Sequence, residues 1–529
     1  MSIFNQISVK APGSNVFDLS HTKRMSLDMG HLIPNLCMEV VPGDQFNIQS
    51  AAMVRFAAML APIMHEVEYY QHYFFVPTRI LWQNSEKFFF GGEDGLQEPV
   101  YPTFAFNGQF QGASNGTLHD YLGLPVQSTP LTAKQISCVP HAAYQFIWQE
   151  YYRDQNLQDP LTLQVNNYLL KDGENTNNEL FQLRKRAWGH DYFTSALPFV
   201  QKGVEATIPL GSTADINLKE DTGIPSLIRE ADVAGLPLNT VATDLTGNTS
   251  GEFVEDPNLG SRRFILDNSE NLLADLATAT SATINDLRNA FRLQEFLEKN
   301  ARGGGRYIES VMAHFGVMSK DSRLNRPEFL GGFKTPVQFS EVLQTSGTLD
   351  TSLGDTPQAN MAGHGIAAGG SSRAKYYATE HGYIMGICSI RPKTTYQQGF
   401  PKHFLKKDKF DFYLPSFAHI GEQAIEGQEI YWSGLDAYDE GAWGYTPRYA
   451  EYKFINDSVH GDFRGNLNYW HLGRIFDTPP FLTNEFIECV PSKRIFAVEQ
   501  AETQSLYCLI RHRIKARRKM PYFGNPKGV

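Results

Sequence analysis

The stretch EVEYYQHYFFV, residues 66–76, decides the fold class. Its apolar and aromatic side chains recur at every second position, which places them on one face of a β-strand, and Pro77 ends the run. The residues on this face are Val67, Tyr69, Tyr73 and Phe75. Strand patterns also cover residues 36–41 and 46–56, and the turn Pro42-Gly43-Asp44 separates them. Three strands at this spacing predict an antiparallel sheet.

The rest of the chain adds strands at its C-terminal end and helices and loops between. Residues 383–390 and 505–516 have strand patterns. Residues 140–154 predict a helix with an aromatic core stripe, and Thr283 opens a second helix. Residues 348–370 are rich in Gly, Ala and Asn and predict a loop. Turn-punctuated strands with long loops indicate a mainly β protein with a jelly-roll architecture.

Composition indicates a globular chain with an asymmetric charge. The 529 residues are 42% hydrophobic and 20% charged, with a formal net charge of −10. Residues 511–529 contain seven Lys or Arg and no acid, so subtracting this +7 from −10 leaves −17 on the preceding 510 residues. A basic segment on an acidic body predicts a polyanionic partner.

The sequence contains no motif for a cofactor or a metal. Its five cysteines are far apart and form no CxxC pair, which favours reduced, buried thiols. The best case for an enzyme is a glycosidase with Glu440 and Glu451 as paired carboxylates. Trp432, Trp443 and Trp470 would then stack on sugars. A secreted-type glycan-binding or glycoside-hydrolysing β protein is thus the alternative to a structural, non-catalytic protein.

A second distinctive stretch, residues 300–332, combines three glycines at 303–305 with many charges in a non-periodic order. A Walker A loop is excluded, because Arg306 and Tyr307 stand where that motif requires Lys and Ser or Thr. The glycines instead predict a helix stop and a sharp turn. Because so many charges are costly to bury in one loop, we expect its arginines to form subunit interfaces. They are Arg302, Arg306, Arg323 and Arg326.

The C-terminal segment carries a basic stripe at strand period. Its two faces are Arg511, Arg513, Lys515 and Arg517 on one side and Ile510, His512, Ile514 and Ala516 on the other. Arg518 and Lys519 extend the charge. We expect these six basic residues to bind nucleic-acid phosphates with little sequence specificity. The alternative is an exposed edge strand whose cations prevent mispairing.

Two further segments differ from the predicted core. Residues 203–280 are rich in Gly, Thr, Asn, Asp and Ser, and we interpret them as a long surface insertion of the kind that often has a function of its own. Residues 1–36 are polar and predict an extended N-terminal arm that can lie along a neighbouring subunit, and a frayed terminus is the equal alternative.

Four blocks of the sequence resemble a known family. They are VVPGDQF with the later FFVPTRILW, ARGGGRYIE with RPEFLGG, GYTPRYAEYKF, and the ending KMPYFGNPKG. In this order they resemble the major capsid proteins of the small single-stranded DNA phages, the Microviridae, and especially the gokushovirus-type branch. The likeness is weakest in residues 203–280.

The resemblance implies a single elaborated capsid domain over residues 1–529, built on an eight-stranded antiparallel viral jelly roll. It also implies a T=1 icosahedral shell that encloses a circular single-stranded DNA genome, with residues 203–280 as a protrusion at the threefold axes. The implied partners are further copies of the chain, the DNA, other phage structural or scaffolding proteins and a host surface receptor. The implied location is the virion, assembled in the bacterial host cytoplasm, and no cofactor is implied.

Overall fold

A computed structural model describes most of the chain as two compact units. The first unit comprises residues 1–200 and 303–529, and the second comprises residues 201–302. The described residues are 13–107, 114–126, 132–162, 166–204, 206, 215–218, 227–229, 264–266, 272–275, 284–343, 361–370, 373–498, 500 and 503–523.

Strands dominate the described part of the chain, as the sequence predicted. In chain order they are β1 (Asn15–Asp18), β2 (His21–Leu27), β3 (Ile33–Val40), β4 (Gln45–Phe56), β5 (Val67–Pro77), β6 (Thr103–Phe106), β7 (Lys134–Ser137), β8 (Asp215–Leu218), β9 (Leu227–Arg229), β10 (Phe264–Leu266), β11 (Leu272–Asp275), β12 (Glu328–Pro336), β13 (Gln338–Leu343), β14 (Met361–Gly370), β15 (Ala374–Tyr377), β16 (Gly382–Pro392), β17 (Thr395–Tyr396), β18 (Glu422–Glu426), β19 (Ala442–Pro447), β20 (Asp457–Ser458) and β21 (Leu506–Arg518).

Helices are fewer and mostly short. They are α1 (Thr78–Leu81), α2 (Ser85–Phe90), α3 (Leu118–Leu122), α4 (Val139–Ile147), α5 (Ile284–Gly303), α6 (Tyr307–Phe315), α7 (Gly427–Ile430), α8 (Asp436–Asp439) and α9 (Asn484–Ile487). A π-helical turn, Trp148–Tyr152, continues α4. In the described ranges no helix is long and apolar enough to cross a membrane.

Two antiparallel sheets form the centre of the first unit. The larger has the order β1-β21-β4-β14-β13, with β2 also pairing with β21 and β15 with β4. The smaller has the order β12-β5-β16-β3. Inward side chains of both sheets share hydrophobic clusters, which include Ile514 and Phe46 of the larger sheet and Tyr73 and Phe75 of the smaller. This sandwich of antiparallel sheets is compatible with the jelly roll predicted from the sequence.

The two sheets differ in what covers their outer faces. The outer face of the four-stranded sheet packs on α4, where Phe74 and Met385 join a cluster with Tyr144 and Ile147. The central strand β16 is therefore covered on both sides, which explains its nearly unbroken burial. The seven-stranded sheet instead keeps one face open, and its strands β4 and β21 alternate between buried and exposed residues.

The prediction of a loop is wrong for residues 361–370. Residues 361–370 form the strand β14, although the sequence predicted a loop there. The glycines are required by close approach, because a Cβ on Gly363 would collide with the Ala61 carbonyl oxygen and one on Gly369 with the Thr335 hydroxyl. Glycine in a strand therefore marked a crowded position rather than a turn.

The N-terminal strands pair within the chain. β1 and β2 both lie antiparallel to β21, so residues 15–27 of the predicted arm extend the chain's own sheet. Residues 1–12 lie outside the described residues. The cysteines are free thiols and four of the five are buried, as predicted.

The second unit is described only in part. β8 pairs with β11 and β9 pairs with β10, each antiparallel, and most of the 20-residue helix α5 follows. Apart from residues 203, 204 and 206, the remainder of the predicted insertion lies outside the described residues.

Candidate nucleic-acid and subunit interfaces

The basic strand β21 lies inside its sheet. It pairs with β4 along one side and with β2 and then β1 along the other. Arg511 stands between Ala51 of β4 and Thr22 of β2. An edge strand has unpaired backbone groups on one side, and β21 does not. Protection of an exposed edge, the alternative explanation for these cations, is therefore wrong.

One face of β21 is buried and the other is exposed, as the sequence predicted. Ile510, His512, Ile514 and Ala516 are each fully buried, whereas Arg511, Arg513, Lys515 and Arg517 are exposed. The His512 ring is hydrogen-bonded through Nδ1 to the Ser50 hydroxyl at 2.7 Å. Burial, aided by the nearby His21 and Lys23, lowers the pKa of His512 to about 4. The inward face is therefore neutral at physiological pH, and the charge is confined to the outward face.

Arg518 and Lys519 lie apart from this stripe. Arg518 turns to the opposite side, where its Nε lies 3.5 Å from the buried Asp44 carboxylate and its Nη2 donates to the Glu39 carbonyl at 2.8 Å. The side chain of Lys519 lies along Gly43. Of the six residues predicted to bind nucleic acid, four thus share one open face of the sheet.

Neighbouring strands add three cations that were not among the residues predicted from the sequence. Arg24 on β2 stands opposite Leu509, Arg55 on β4 stands opposite Tyr507, and Lys375 on β15 lies across Asn47 from Lys515. We call this surface the basic sheet face. Its cations are Arg24, Arg55, Lys375, Arg511, Arg513, Lys515 and Arg517. The alternation along β2 and β4 could have indicated Arg24 and Arg55, but only strand pairing shows that they join the stripe.

Acidic residues are scarce on this surface. Asp18 is the one carboxylate among the outward-facing residues of β1, β2, β4, β15 and β21, all of which the structure describes. Hydrogen bonds from Ser20 lower the pKa of Asp18, and Lys515 lowers it further. Asp18 is therefore ionised at neutral pH and offsets one of the seven positive charges. The face remains strongly positive although the whole chain is acidic.

The arginines predicted to form interfaces fall into two groups. Arg326 donates from Nε to the Glu150 carboxylate at 3.0 Å, and Arg306 approaches the same carboxylate at 3.8 Å. Arg306 also pairs with Glu309 at 3.0 Å, and Arg326 with Asp321 at 3.4 Å. These two arginines are thus satisfied inside the chain, against the π-helical turn Trp148–Tyr152. Their assignment to a subunit interface stays a prediction.

Arg302 and Arg323 lie outside this Glu150 network. Arg323 is exposed in a 3₁₀ turn, Asp321–Leu324, and Arg302 is half-buried near the end of α5. The same segment exposes large apolar side chains: Tyr307 is 72% exposed, Phe315 78% and Met318 76%. Exposed apolar groups of this size on one segment are typical of a surface that another protein covers. The sequence predicted an interface here from the charges of the segment, whereas the structure adds its exposed apolar side chains.

One of the two carboxylates of the glycosidase alternative, Glu451, has a structural role. Glu451 accepts a hydrogen bond from Gln423 at 2.9 Å and pairs with Lys406 at 2.8 Å. Burial raises the pKa of Glu451, but Lys406 and Gln423 lower it below the ordinary value overall. A general acid requires the opposite shift. The Trp443 indole donates to the Pro480 carbonyl at 2.7 Å and is buried, so it offers no platform for a sugar.

Comparison with known proteins gives one consistent result. The profile of the family described as "Capsid protein (F protein)" matches residues 7–527. The chain is 34% identical to the capsid protein VP1 of Bdellovibrio phage phiMH2K over 513 residues, which cover 95% of this chain and 93% of the relative. It is 30% identical to the capsid protein VP1 of Chlamydia phage 1, covering 99% and 97%. It is 32% identical to that of Spiroplasma virus 4, covering 89% and 86%.

These matches extend over nearly the whole chain and agree with the mainly β fold. They confirm the likeness to Microviridae capsid proteins, and the glycoside-hydrolysing alternative is wrong. The chain therefore belongs to the phage capsid protein (F protein) family and is a structural component of the virion rather than an enzyme.

Proposed function

We propose that this chain assembles into a closed T=1 icosahedral shell around a circular single-stranded DNA genome, with the basic sheet face turned toward the DNA. Closed symmetry lets one chain build a container from repeated interfaces. The basic sheet face would hold phosphates by charge, without reading bases.

The proposal that the basic sheet face binds DNA rests on one observation. The cations of β21 lie on the open face of a strand that has neighbours on both sides. Protection of a sheet edge against mispairing therefore does not explain them. Neighbouring strands extend the same charge sideways, from Arg24 on β2 to Lys375 on β15. A broad positive surface on an acidic chain suits a long polyanion, because each phosphate that it binds releases counterions.

Self-assembly is supported by the exposed apolar side chains around α6. Tyr307, Phe315 and Met318 would be covered by a neighbouring copy, with Arg302 and Arg323 at the rim of that contact. Interfaces commonly have an apolar centre and a charged rim. We assign Arg306 and Arg326 to holding the segment in shape for this contact.

Residues 203–280 are proposed as a surface insertion that protrudes at the threefold axes and contacts the host receptor. The support is the loop-rich composition and the division of the chain, which assigns residues 201–302 to a unit of their own. Other phage structural or scaffolding proteins are the remaining proposed partners.

A salt titration tests the DNA assignment. Full-length folded subunits would be titrated with a single-stranded oligonucleotide at several salt concentrations. The parent would be compared with a variant in which Arg511, Arg513, Lys515 and Arg517 are all changed to Gln. If four contacts with phosphates are lost, the slope of the logarithm of the binding constant against the logarithm of the salt concentration should become shallower by about 3.

The matched control removes the same charge elsewhere. Lys87, Lys134, Lys171 and Lys407 are exposed and lie outside the seven-stranded sheet. Changing these four to Gln should leave the slope near that of the parent. Equal slopes for the parent and the β21 variant would show that the DNA is held by another surface.

A further inference from the structure

Two shallow hollows open on the basic sheet face, one near each end of β21. The first has a volume of about 440 Å³ and is lined mainly by Arg24, Ser26, Met53, Arg55, Tyr507 and Leu509. The second has a volume of about 530 Å³ and is lined mainly by Gln45, Asn47, Lys375, Tyr377, Lys515 and Arg517. Both volumes lie within the range of pockets that hold small ligands. Each hollow combines one exposed tyrosine, Tyr507 in the first and Tyr377 in the second, with two or three cations.

The first hollow is built around Tyr507. The side chain is 51% exposed, and it stands between Arg55 on β4 and Ser26 on β2. Arg24 lies one row away on the same face, opposite Leu509. Directly opposed side chains of antiparallel strands have Cβ atoms about 4.5–5.5 Å apart. The tyrosine ring and two guanidinium groups can therefore contact adjoining parts of one ligand.

The second hollow repeats this arrangement around Tyr377. The side chain is 54% exposed and pairs across the sheet with Gln45, whose partner on β21 is Arg517. The next row contains Lys375, Asn47 and Lys515. In both hollows, therefore, an exposed tyrosine ring lies beside at least two cations.

We propose that each hollow binds one unpaired nucleotide of the DNA, with its base stacked on Tyr507 or Tyr377 and its phosphates held by the adjoining cations. This inference rests on the proposed function and names the subsites within it. Cations alone would suffice for phosphates, whereas an exposed ring beside them adds a surface on which any base can stack. Bases inside a duplex are already stacked on each other, so these sites favour a single strand.

The separation of the hollows fits one continuous strand of DNA. Tyr507 and Lys515 are eight residues apart on β21, or about 26 Å at about 3.3 Å per residue. At about 3.4 Å per phosphate, roughly eight nucleotides cover that distance, and fewer do so if the strand is extended. A 12-nucleotide oligomer can therefore reach both hollows, with Arg511 and Arg513 between them.

The test compares two probes that carry the same number of phosphates, a 12-nucleotide thymidine oligomer and an abasic strand of equal length. Tyr507→Ala and Tyr377→Ala would each be titrated as full-length folded subunits, with Tyr507→Phe and Tyr377→Phe as controls that keep the ring. Each Ala variant should lose about fivefold or more in affinity for the thymidine oligomer and nothing for the abasic strand. The salt slope should not change, because no cation is removed.

Three results would overturn this proposal. If the Ala variants bind the thymidine oligomer as the parent does, the hollows are not base sites, while a salt slope that depends on the β21 cations would leave the proposed function standing. If they lose equal affinity for both probes, the rings only support the cations. If the parent binds neither probe, the proposed function fails as well.

Discussion

Replacing Arg326 separates a role inside the subunit from a role between subunits. We expect Arg326→Met to lower the free energy of unfolding by about 3 kcal/mol. The lost ion pairs are those with Glu150 at 3.0 Å and with Asp321 at 3.4 Å. The substitution also removes the 3.1 Å hydrogen bond to the Glu150 carbonyl and the position of the guanidinium over the Tyr151 ring at 4.9 Å. The side chains of Arg326 and Glu150 are largely buried, with exposures of 12% and 18%.

The magnitude follows from what remains after the substitution. Breaking a buried ion pair costs about 3–5 kcal/mol when one charge is left without a partner. Here Glu150 would keep Arg306 at 3.8 Å, so the loss of the pair should cost only about 1.5 kcal/mol, half the lower limit of this range. A lost hydrogen bond adds about 1 kcal/mol, and the lost cation–π contact adds about 0.5–1 kcal/mol. These contributions together give the value of about 3 kcal/mol.

The assay is urea unfolding of unassembled subunits, followed by tryptophan fluorescence, with assembly measured separately by light scattering. Arg323→Met is the matched control, because it removes an exposed arginine three positions away and should change stability by less than about 0.5 kcal/mol. If Arg326→Met unfolds like the parent but does not assemble, Arg326 acts between subunits and the assignment to the Glu150 network is wrong.

Three further predictions concern β14, the insertion and pH. Gly363→Ala should lower the free energy of unfolding by about 1–3 kcal/mol in urea melts, because its Cβ would collide with the Ala61 backbone, whereas Gly370→Ala has open space and should not be destabilising. Replacing about 60 residues of 203–280 by a Gly/Ser linker should leave a soluble, folded subunit, because the entropic cost of closing a loop depends only weakly on its length. That subunit should assemble but attach poorly to the host. An insoluble product, or normal attachment, would contradict this. Stability should fall as pH drops from about 6.5 towards 4, because buried histidines with a lowered pKa, such as His512, take up protons only in the unfolded chain. His512→Gln should make that decline shallower by up to about 1.4 kcal/mol per pH unit, and an unchanged slope would contradict the burial argument.

The sequence alone determined the features that depend on local periodicity. The alternation in residues 66–76 predicted a strand with one buried face, and β5 buries Val67, Tyr69, Tyr73 and Phe75 as expected. The same period of two separated the exposed cations of β21 from its buried residues. The triple glycine predicted the end of α5, which closes at Gly303. Such features need only the geometry of one element and the partition of apolar groups from water.

Only the tertiary structure decided what depends on contacts between distant segments. β21 could be a central strand or an edge strand until β4, β2 and β1 were placed beside it, because a strand pattern does not name its partners. The same pairing brought Arg24, Arg55 and Lys375 to the basic sheet face. Gly363 resembled a loop residue because the backbone of Ala61, which excludes any side chain there, is about 300 positions away in the sequence. Glu150 likewise satisfies arginines more than 150 positions away, and sequence spacing carries no sign of that contact.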